Sequence, residues 1–450
     1  MKFKPFEVEA VCHAVSYTGF GIANTKDGKV YVKGFYPGEK AIIEISYKRN
    51  GVYRGKIKKL LTISPDRIPS KCDVQTSCGG CVFQSLNYLA QGKIKENILH
   101  QQLLYNAGLD IPVQPIVQMK DPYYYRNKVQ VPFQNKRGKL IYGFYREDSH
   151  DIVESKGCVI QPKSAKTILD TIKNIFQTLG LTAYDEETGE GLLRHVLIRF
   201  SEATGQTMVV LVLSSLNFPL KNQLTSQLCS QLKDITTLLY NLNNKKTNVV
   251  LGDKNELILG PGYITDNLLG LEFKISPFSF FQTNHEITEK LYSALIDNLE
   301  LTKDDVVFDA YCGTGTIGLC LSSHVKDVFG AEINPSSIND ALENTKRNNI
   351  DNYHPILGDA FEVYRNLKEE GYAFSCIVCD PPRKGLSEEF LSFLKQEMPA
   401  KIGYVSCNPL TLGRDLNILK EDYDIKTVIP FDMFPFTSSL ETLCILTKKN

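Results

Sequence analysis

From residue 306 onward the chain alternates strand-like and helix-like runs, and this alternation restricts its possible folds more than any other feature. Apolar stretches at 306–310, 328–331, 355–357, 374–379 and 401–406 are separated by helical patterns that begin at Ile317 and cover 335–349. Strands that alternate with helices run parallel, because each crossover returns the chain to the same end of the sheet. The expected fold class is α/β, with a doubly wound, Rossmann-like C-terminal domain. The segment Ser276-Pro-Phe-Ser-Phe-Phe-Gln282-Thr-Asn opens that domain. Asn284 or Thr283 can cap a helix whose apolar stripe is Ile287, Leu291, Leu295 and Leu299.

A chain of 450 residues exceeds what one core supports, so two or three domains are expected. The boundaries read as 1–62, 63–275 and 276–450. No run of about 18 apolar residues occurs and the N-terminus has no apolar signal core, which predicts a cytoplasmic protein with no membrane partner. In a reducing compartment, close groups among the 12 cysteines point to metal binding or catalysis rather than to disulfides.

The net charge is zero, yet residues 1–60 hold twelve lysines and arginines against five acidic residues, a local excess of +7. Short β-type runs punctuated by Gly19, Gly21, Gly28, Gly34, Gly38 and Gly51 predict a small closed barrel of about five strands. Phe20, Tyr31, Phe35, Tyr36, Tyr47 and Tyr53 interleave with the lysines. Aromatic faces among cations suit an RNA-binding, OB-like barrel. This stretch resembles the TRAM module that precedes many RNA-modifying enzymes.

Next come Cys72, Cys78 and Cys81, with Cys158 as a single outlier, and Gly79 and Gly80 let the chain fold tightly between the last two of the three. Four thiolates make a closed site that suits zinc or an iron–sulfur cluster. A helix ending at Gly108 follows, and its stripe of Ile94, Ile98, Leu103 and Ala107 suits packing on the last domain. Residues 121–275 read as mainly β with some helix. Tyr123-Tyr-Tyr-Arg-Asn-Lys128 and Arg194-His195 add aromatics and cations there.

Three motifs in the last domain carry chemistry. Asp309 is followed by Gly313-x-Gly315-x-x-Gly318, and Glu332 ends the next strand, where a carboxylate can bind the hydroxyls of a ribose. Such a loop also suits a nicotinamide dinucleotide. The proline-stiffened turn Asp380-Pro-Pro after the fourth strand favours S-adenosylmethionine beside a planar substrate. Third, Tyr404-Val-Ser-Cys-Asn-Pro409 presents Cys407 where a strand must stop, because Pro409 restricts the residue before it and offers no N–H. A thiol beside a methyl donor suits methylation at C5 of uracil, since thiolate addition to C6 makes C5 a carbon nucleophile. A base must then take the C5 proton, and Glu441, at the start of a strand-like run, is the candidate.

The set Phe280-Phe-Gln282-x-Asn284, Asp380-Pro-Pro-Arg383, Ser406-Cys-Asn-Pro409 and Asp432-Met-Phe-Pro435…Glu441 resembles the RNA uracil-C5 methyltransferases. Nearly all of the chain is similar to the branch that modifies 23S ribosomal RNA and carries a TRAM module and a 4Fe-4S cluster. The resemblance implies Cys407 as nucleophile, Glu441 as base and a catalytic Asp380. It implies Cys72, Cys78, Cys81 and Cys158 as cluster ligands, with zinc as the alternative. Gln282, Tyr311, Gly313, Gly315, Glu332 and Asp380 fall around the cofactor or target base, and Thr316 and Asp359 at further cofactor-contact positions. Transfer RNA is the alternative substrate, and a non-catalytic RNA-binding or ribosome assembly factor the alternative from another class. DNA is not expected, because DNA cytosine methyltransferases place their cysteine in a Pro-Cys turn after the fourth strand, and here that turn is Asp-Pro-Pro.

Overall fold

The computed structural model describes residues 4–49, 51–147 and 149–449; Lys2, one of the N-terminal basic residues, lies outside them. Strands β1 (Phe6–Val11), β2 (Ala14–Val15), β3 (Phe20–Thr25), β4 (Gly28–Lys33), β5 (Lys40–Arg49) and β6 (Val52–Thr62) form one sheet in the order β1-β5-β6-β4-β3-β2. β1 also packs against β3, so the sheet curls around Ala23, Val30, Val32, Ala41, Ile43 and Ile45. Gly21 permits this closeness, since a Cβ there would meet the Phe35 carbonyl at 2.0 Å. Phe35 and Tyr36 are buried and offer no stacking face, which corrects the grouping made from sequence. Their apolar area is used inside the fold. Arg54 instead covers Phe20 and Tyr31, 4.4 and 5.1 Å from the ring centres.

Helix α1 (Tyr88–Ala107) starts at Asn87, whose side chain accepts from the Ala90 N–H, and ends at Gly108 in the left-handed region that favours glycine. The central part follows with β7 (Lys128–Lys136), β8 (Lys139–Tyr142), β9 (Phe144–Tyr145), β10 (Ile152–Val153), α2 (Lys163–Thr178), β11 (Leu193–Phe200), β12 (Thr207–Leu213), α3 (Lys221–Gln231), β13 (Thr237–Leu242) and β14 (Lys254–Leu259). Its sheet runs β14-β13-β12-β11-β7-β8, and α2 and α3 share one apolar core with it. Residues 140–145 do not form one continuous strand. The break falls at Gly143, where a Cβ would meet the Val153 carbonyl at 2.1 Å. A hairpin of β15 (Ile264–Leu268) and β16 (Leu271–Ile275) leads into the last part.

There, α4 (His285–Leu299) buries Ile287, Leu291, Leu295 and Leu299 below the Asn284 cap. Then come β17 (Val306–Ala310), α5 (Thr316–Ser322), β18 (Asp327–Glu332), α6 (Pro335–Arg347), β19 (Tyr353–Leu357), α7 (Ala360–Glu369), β20 (Cys376–Cys379), α8 (Glu388–Glu397), β21 (Lys401–Ser406), α9 (Pro409–Leu419), β22 (Tyr423–Phe431) and β23 (Glu441–Lys448). The seven-stranded sheet runs β19-β18-β17-β20-β21-β23-β22. The first five of these strands are parallel and β23 enters antiparallel between β21 and β22. Apolar cores cover both faces. Among the described residues no helix is long and apolar enough to cross a membrane.

Helix α1 joins the N-terminal segments to this sheet. It packs on α9, and Gly413 comes so close to it that a Cβ would sit 2.9 Å from the Asn106 side chain. The expected apolar stripe of α1 is interrupted by Lys95, which is fully buried. Its ammonium donates to Asp432 Oδ1 at 2.5 Å, the Phe434 carbonyl at 3.0 Å and the Ser439 carbonyl at 2.8 Å. Three acceptors satisfy its three donors, which is what makes a lysine tolerable there. Replacing Lys95 by Met leaves Asp432 buried without its cation and should cost about 3–5 kcal/mol in urea unfolding, whereas Lys95→Met combined with Asp432→Leu should recover part of the loss. Equal destabilisation by the single and double changes would show that the pair is not the cause.

Candidate active site

The glycine loop after β17 gathers the first group of side chains. Tyr311 takes φ 66°, a left-handed backbone that is strained for a bulky residue. Gly313 at φ 58° and Gly315 at φ 81° supply the rest of the turn. Gly318 must be glycine for another reason, because a Cβ there would meet Tyr353 at 2.3 Å and Asp309 Oδ2 at 2.8 Å. Asp309 accepts from the Gly318 N–H at 2.9 Å and fixes the loop from beneath. Burial pushes its carboxyl up to about 8, and Oδ1 has no partner.

Glu332, at the end of β18, accepts from the Gly313 N–H at 3.2 Å and the Asn334 N–H at 2.8 Å, so its carboxylate is held at the rim of the loop. A Cβ on Gly313 would meet nothing within 4 Å, which leaves open space above the turn. Thr316 Oγ1 lies 3.1 Å from the Tyr292 hydroxyl. Asp359 caps α7 through the Phe361 and Glu362 N–H groups, one strand further out. Gln282 Nε2 donates to Asp380 Oδ2 at 3.4 Å, which links the segment before α4 to the turn after β20. Open space bounded by a ribose-type carboxylate and glycine backbone fits S-adenosylmethionine.

Cys407 follows the last residue of β21, and Glu441 is the first of β23. Ser406 pairs with Thr442 in the antiparallel ladder, so the register sets Cys407 beside Glu441. Asn408 fixes the turn, its side chain accepting from the Leu410 N–H at 3.1 Å and donating to the Arg383 carbonyl at 2.9 Å. Glu441 is 3% exposed and its Oε2 has no partner. Burial first, and the Asp380 charge second, push its carboxyl well above the usual range, while Arg383 opposes them. Asp380 is pushed up to about 7 by burial. Cys407 rises to about 12 through burial and the Glu441 and Asp380 charges, again against Arg383. The site therefore holds a thiol and two carboxyls that resist ionising together.

Cys72, Cys78, Cys81 and Cys158 line one cavity, together with Phe144, Ser155 and Val159. All four are free thiols. Asp73 joins the two loops, accepting from Ser155 Oγ at 2.8 Å and the Lys156 N–H at 2.9 Å. Among the described residues no group of three or more His, Cys, Asp or Glu side chains stands in metal-holding geometry. The all-sulfur donor set facing one cavity fits a four-thiolate centre in its chemistry.

Some contributors were not legible in the sequence. Lys95 had no signal beyond its place in an apolar stripe. Gln91, also on α1, accepts from the Phe436 N–H at 3.0 Å and steadies the segment that leads to Glu441. Phe280 and Ile333 are 62% and 71% exposed beside Gln282 and Glu332, large apolar surfaces left open at the site. Arg194 and His195 have structural surroundings, Arg194 bonding the Asn243 and Lys245 carbonyls at 2.8 Å each.

A parallel sheet in this order, with an antiparallel seventh strand inserted and a glycine loop after its first strand, defines a class I methyltransferase fold. A family profile of tRNA (uracil-5-)-methyltransferases matches residues 221–449. An RNA methyltransferase of Bacillus cereus is 38% identical over 98% of this chain and 96% of its own length. One from Clostridium acetobutylicum is 41% identical over 96% of this chain and 94% of its own. The structure of Pyrococcus abyssi tRNA (uracil-54, C5)-methyltransferase in complex with S-adenosyl-L-homocysteine superposes with a TM-score of 0.77 at 25% identity, covering 98% of this chain and 100% of that one. The chain belongs to the tRNA (uracil-5-)-methyltransferase family and is an S-adenosylmethionine-dependent RNA methyltransferase.

Asp309 gives a test of the loop. Its folded carboxyl titrates above the unfolded one, so its stabilising contribution is complete below about pH 4 and is lost as pH rises towards about 8. Asp309→Asn keeps an acceptor for Gly318 and should flatten that decline, making the variant more stable than the parent at about pH 8 in urea unfolding. Parallel stability curves would contradict the assignment.

Proposed function

We propose that the chain methylates C5 of a uridine in RNA through a covalent bond between Cys407 and C6. The observation that carries this reading is the antiparallel pairing that puts Cys407 beside a buried Glu441 with an unpartnered oxygen. Gly313, Gly315 and Glu332 would hold S-adenosylmethionine, with Gln282, Tyr311, Thr316 and Asp359 around it, and the bound cofactor would supply an electrophilic methyl group.

Cys407 releases its proton to solvent as its sulfur bonds to C6, and the C5=C6 electron pair moves onto C5 and the O4 carbonyl. Asp380, pushed up to about 7 by burial, keeps its proton in a share of molecules near neutral pH, and in that form it can donate to the uracil edge where this charge collects. Once methylated, C5 still carries its proton. Glu441 takes that proton, the C5=C6 bond re-forms and Cys407 leaves as thiolate. The target base must leave its stack to reach the strand end, and exposed Phe280 offers a ring face for it.

The substrate favoured here is 23S ribosomal RNA, with the curled N-terminal sheet as a TRAM-type RNA-binding module and the four cysteines as ligands of a 4Fe-4S cluster. The basic excess of the first sixty residues and the shared cavity of the thiols support these two roles. A second reading, transfer RNA, is favoured by the archaeal enzyme whose match spans this whole length.

Fluorine at C5 cannot leave as a proton, so 5-fluorouridine RNA should trap the protein. A denaturing gel should show a shifted band that needs S-adenosylmethionine and Cys407 with a ribosomal fragment; a band only with transfer RNA selects the second reading, and none with either rejects the reaction. Anaerobically purified protein should absorb in the visible, and Cys78→Ser should lose that absorption. Colourless protein with stoichiometric zinc would reject the iron cluster.

A further inference from the structure

Lys128 on β7 and Arg199 on β11 stand directly opposite each other in the antiparallel register. Like charges opposed in this way destabilise a sheet. Arg126 lies two residues before Lys128, just ahead of the strand, and is near enough for its charge to act on the Lys128 ammonium. No ion pair among the described residues engages any of the three. The Lys128 ammonium and the Arg126 guanidinium also have no hydrogen-bond partner there. The Nε atoms of Arg126 and Arg199 are buried and unpartnered.

Arg199 is 3% exposed and spends its remaining fork on the carbonyls of Ser279 and Pro277. The one carboxylate that acts on it, Asp340, is already bonded by Ser279 Oγ and lies 3.8 Å from Lys274. Burial and the two guanidiniums push Lys128 down to about 8. A fold that keeps three crowded cations without a counter-charge departs from the rule for buried charge, and such departures fall at functional sites.

The place of the cluster says which function. Between Arg126 and Lys128, Asn127 donates its N–H to the Thr283 carbonyl at 2.9 Å and its side-chain amide to the Gln282 carbonyl at 2.8 Å. Gln282 in turn donates to Asp380. Arg126 is also bridged to Asn284. The cations are thus fixed to the backbone that carries Gln282, whose side chain reaches Asp380, and Arg126 and Lys128 are only half-buried.

We propose that Arg126 and Lys128, with Arg199 behind them, form a phosphate site that grips the RNA backbone next to the target uridine. The proposal rests on the RNA-methylation reading above. Phosphate supplies the missing anion, and a bound phosphodiester at this point holds the strand while its base turns into the pocket.

The test uses the full chain and the RNA fragment that gives a Cys407 adduct with the unaltered protein. Lys128→Met should unfold at higher urea, because a crowded cation is removed, and yet should bind that fragment on the order of ten-fold more weakly. The slope of log affinity against log salt should fall by about 0.7–0.9, one phosphate contact. The loss should sit in KM for RNA, with the affinity for S-adenosylmethionine retained, and Lys128→Arg should restore both affinity and slope. Arg126→Gln should lower the slope in the same way. Unchanged affinity and slope in Lys128→Met and Arg126→Gln would overturn the proposal, as would a Lys128→Met protein less stable than its parent. Absence of any adduct with the unaltered protein rejects the underlying reaction instead, a result distinct from either.

Discussion

The antiparallel entry of β23 between β21 and β22 is the constraint on which the site depends. Five parallel strands end at the same edge and can deliver loops there, but they cannot bring a residue that starts a strand to that edge. Only a strand running the other way begins where its neighbours finish. Because Ser406 pairs with Thr442, the side chain after β21 and the first side chain of β23 become neighbours. A one-residue slip in this ladder would turn Glu441 to the opposite face. The first six residues of β23, Glu441–Leu446, are buried, which makes such a slip costly.

Register alone does not hold the approach to Glu441. The segment between β22 and β23 turns at Phe436, with φ 68°, and is fastened from three directions. Lys95 takes the Phe434 and Ser439 carbonyls, and Val82 and Phe83, directly after Cys81, donate their N–H groups to the Phe436 carbonyl at 2.9 and 3.0 Å. Tyr125 adds a bond to the Pro435 carbonyl at 3.3 Å. The cysteine loop, α1 and the aromatic segment before β7 thus converge on the chain that delivers Glu441. The N-terminal parts are a scaffold for the segment that leads to Glu441.

How far the sequence disclosed this depends on the kind of signal. The α/β alternation and the stripe of α4 were legible because period and burial coincide there. Cys407, Asp380 and the glycine loop were legible because prolines and glycines fix local geometry. Phe35 and Tyr36 misled, since an aromatic among lysines reads the same whether its ring faces in or out. Lys95, Asp73 and the opposition of Lys128 to Arg199 were invisible for a different reason. Each has its meaning only through a residue distant in sequence, as with the 337 positions between Lys95 and Asp432.

The pairing of Cys407 with Glu441 across a strand end is the central claim, and Glu441→Gln tests it most directly with ordinary uridine RNA and S-adenosylmethionine. The amide preserves shape and removes the base. Intact-mass analysis should then find protein joined to RNA that already carries the new methyl group, a species that persists because C5 keeps its proton. Normal turnover by the Gln variant, with free methylated RNA released at the parent rate, would contradict the assignment of Glu441 as the base.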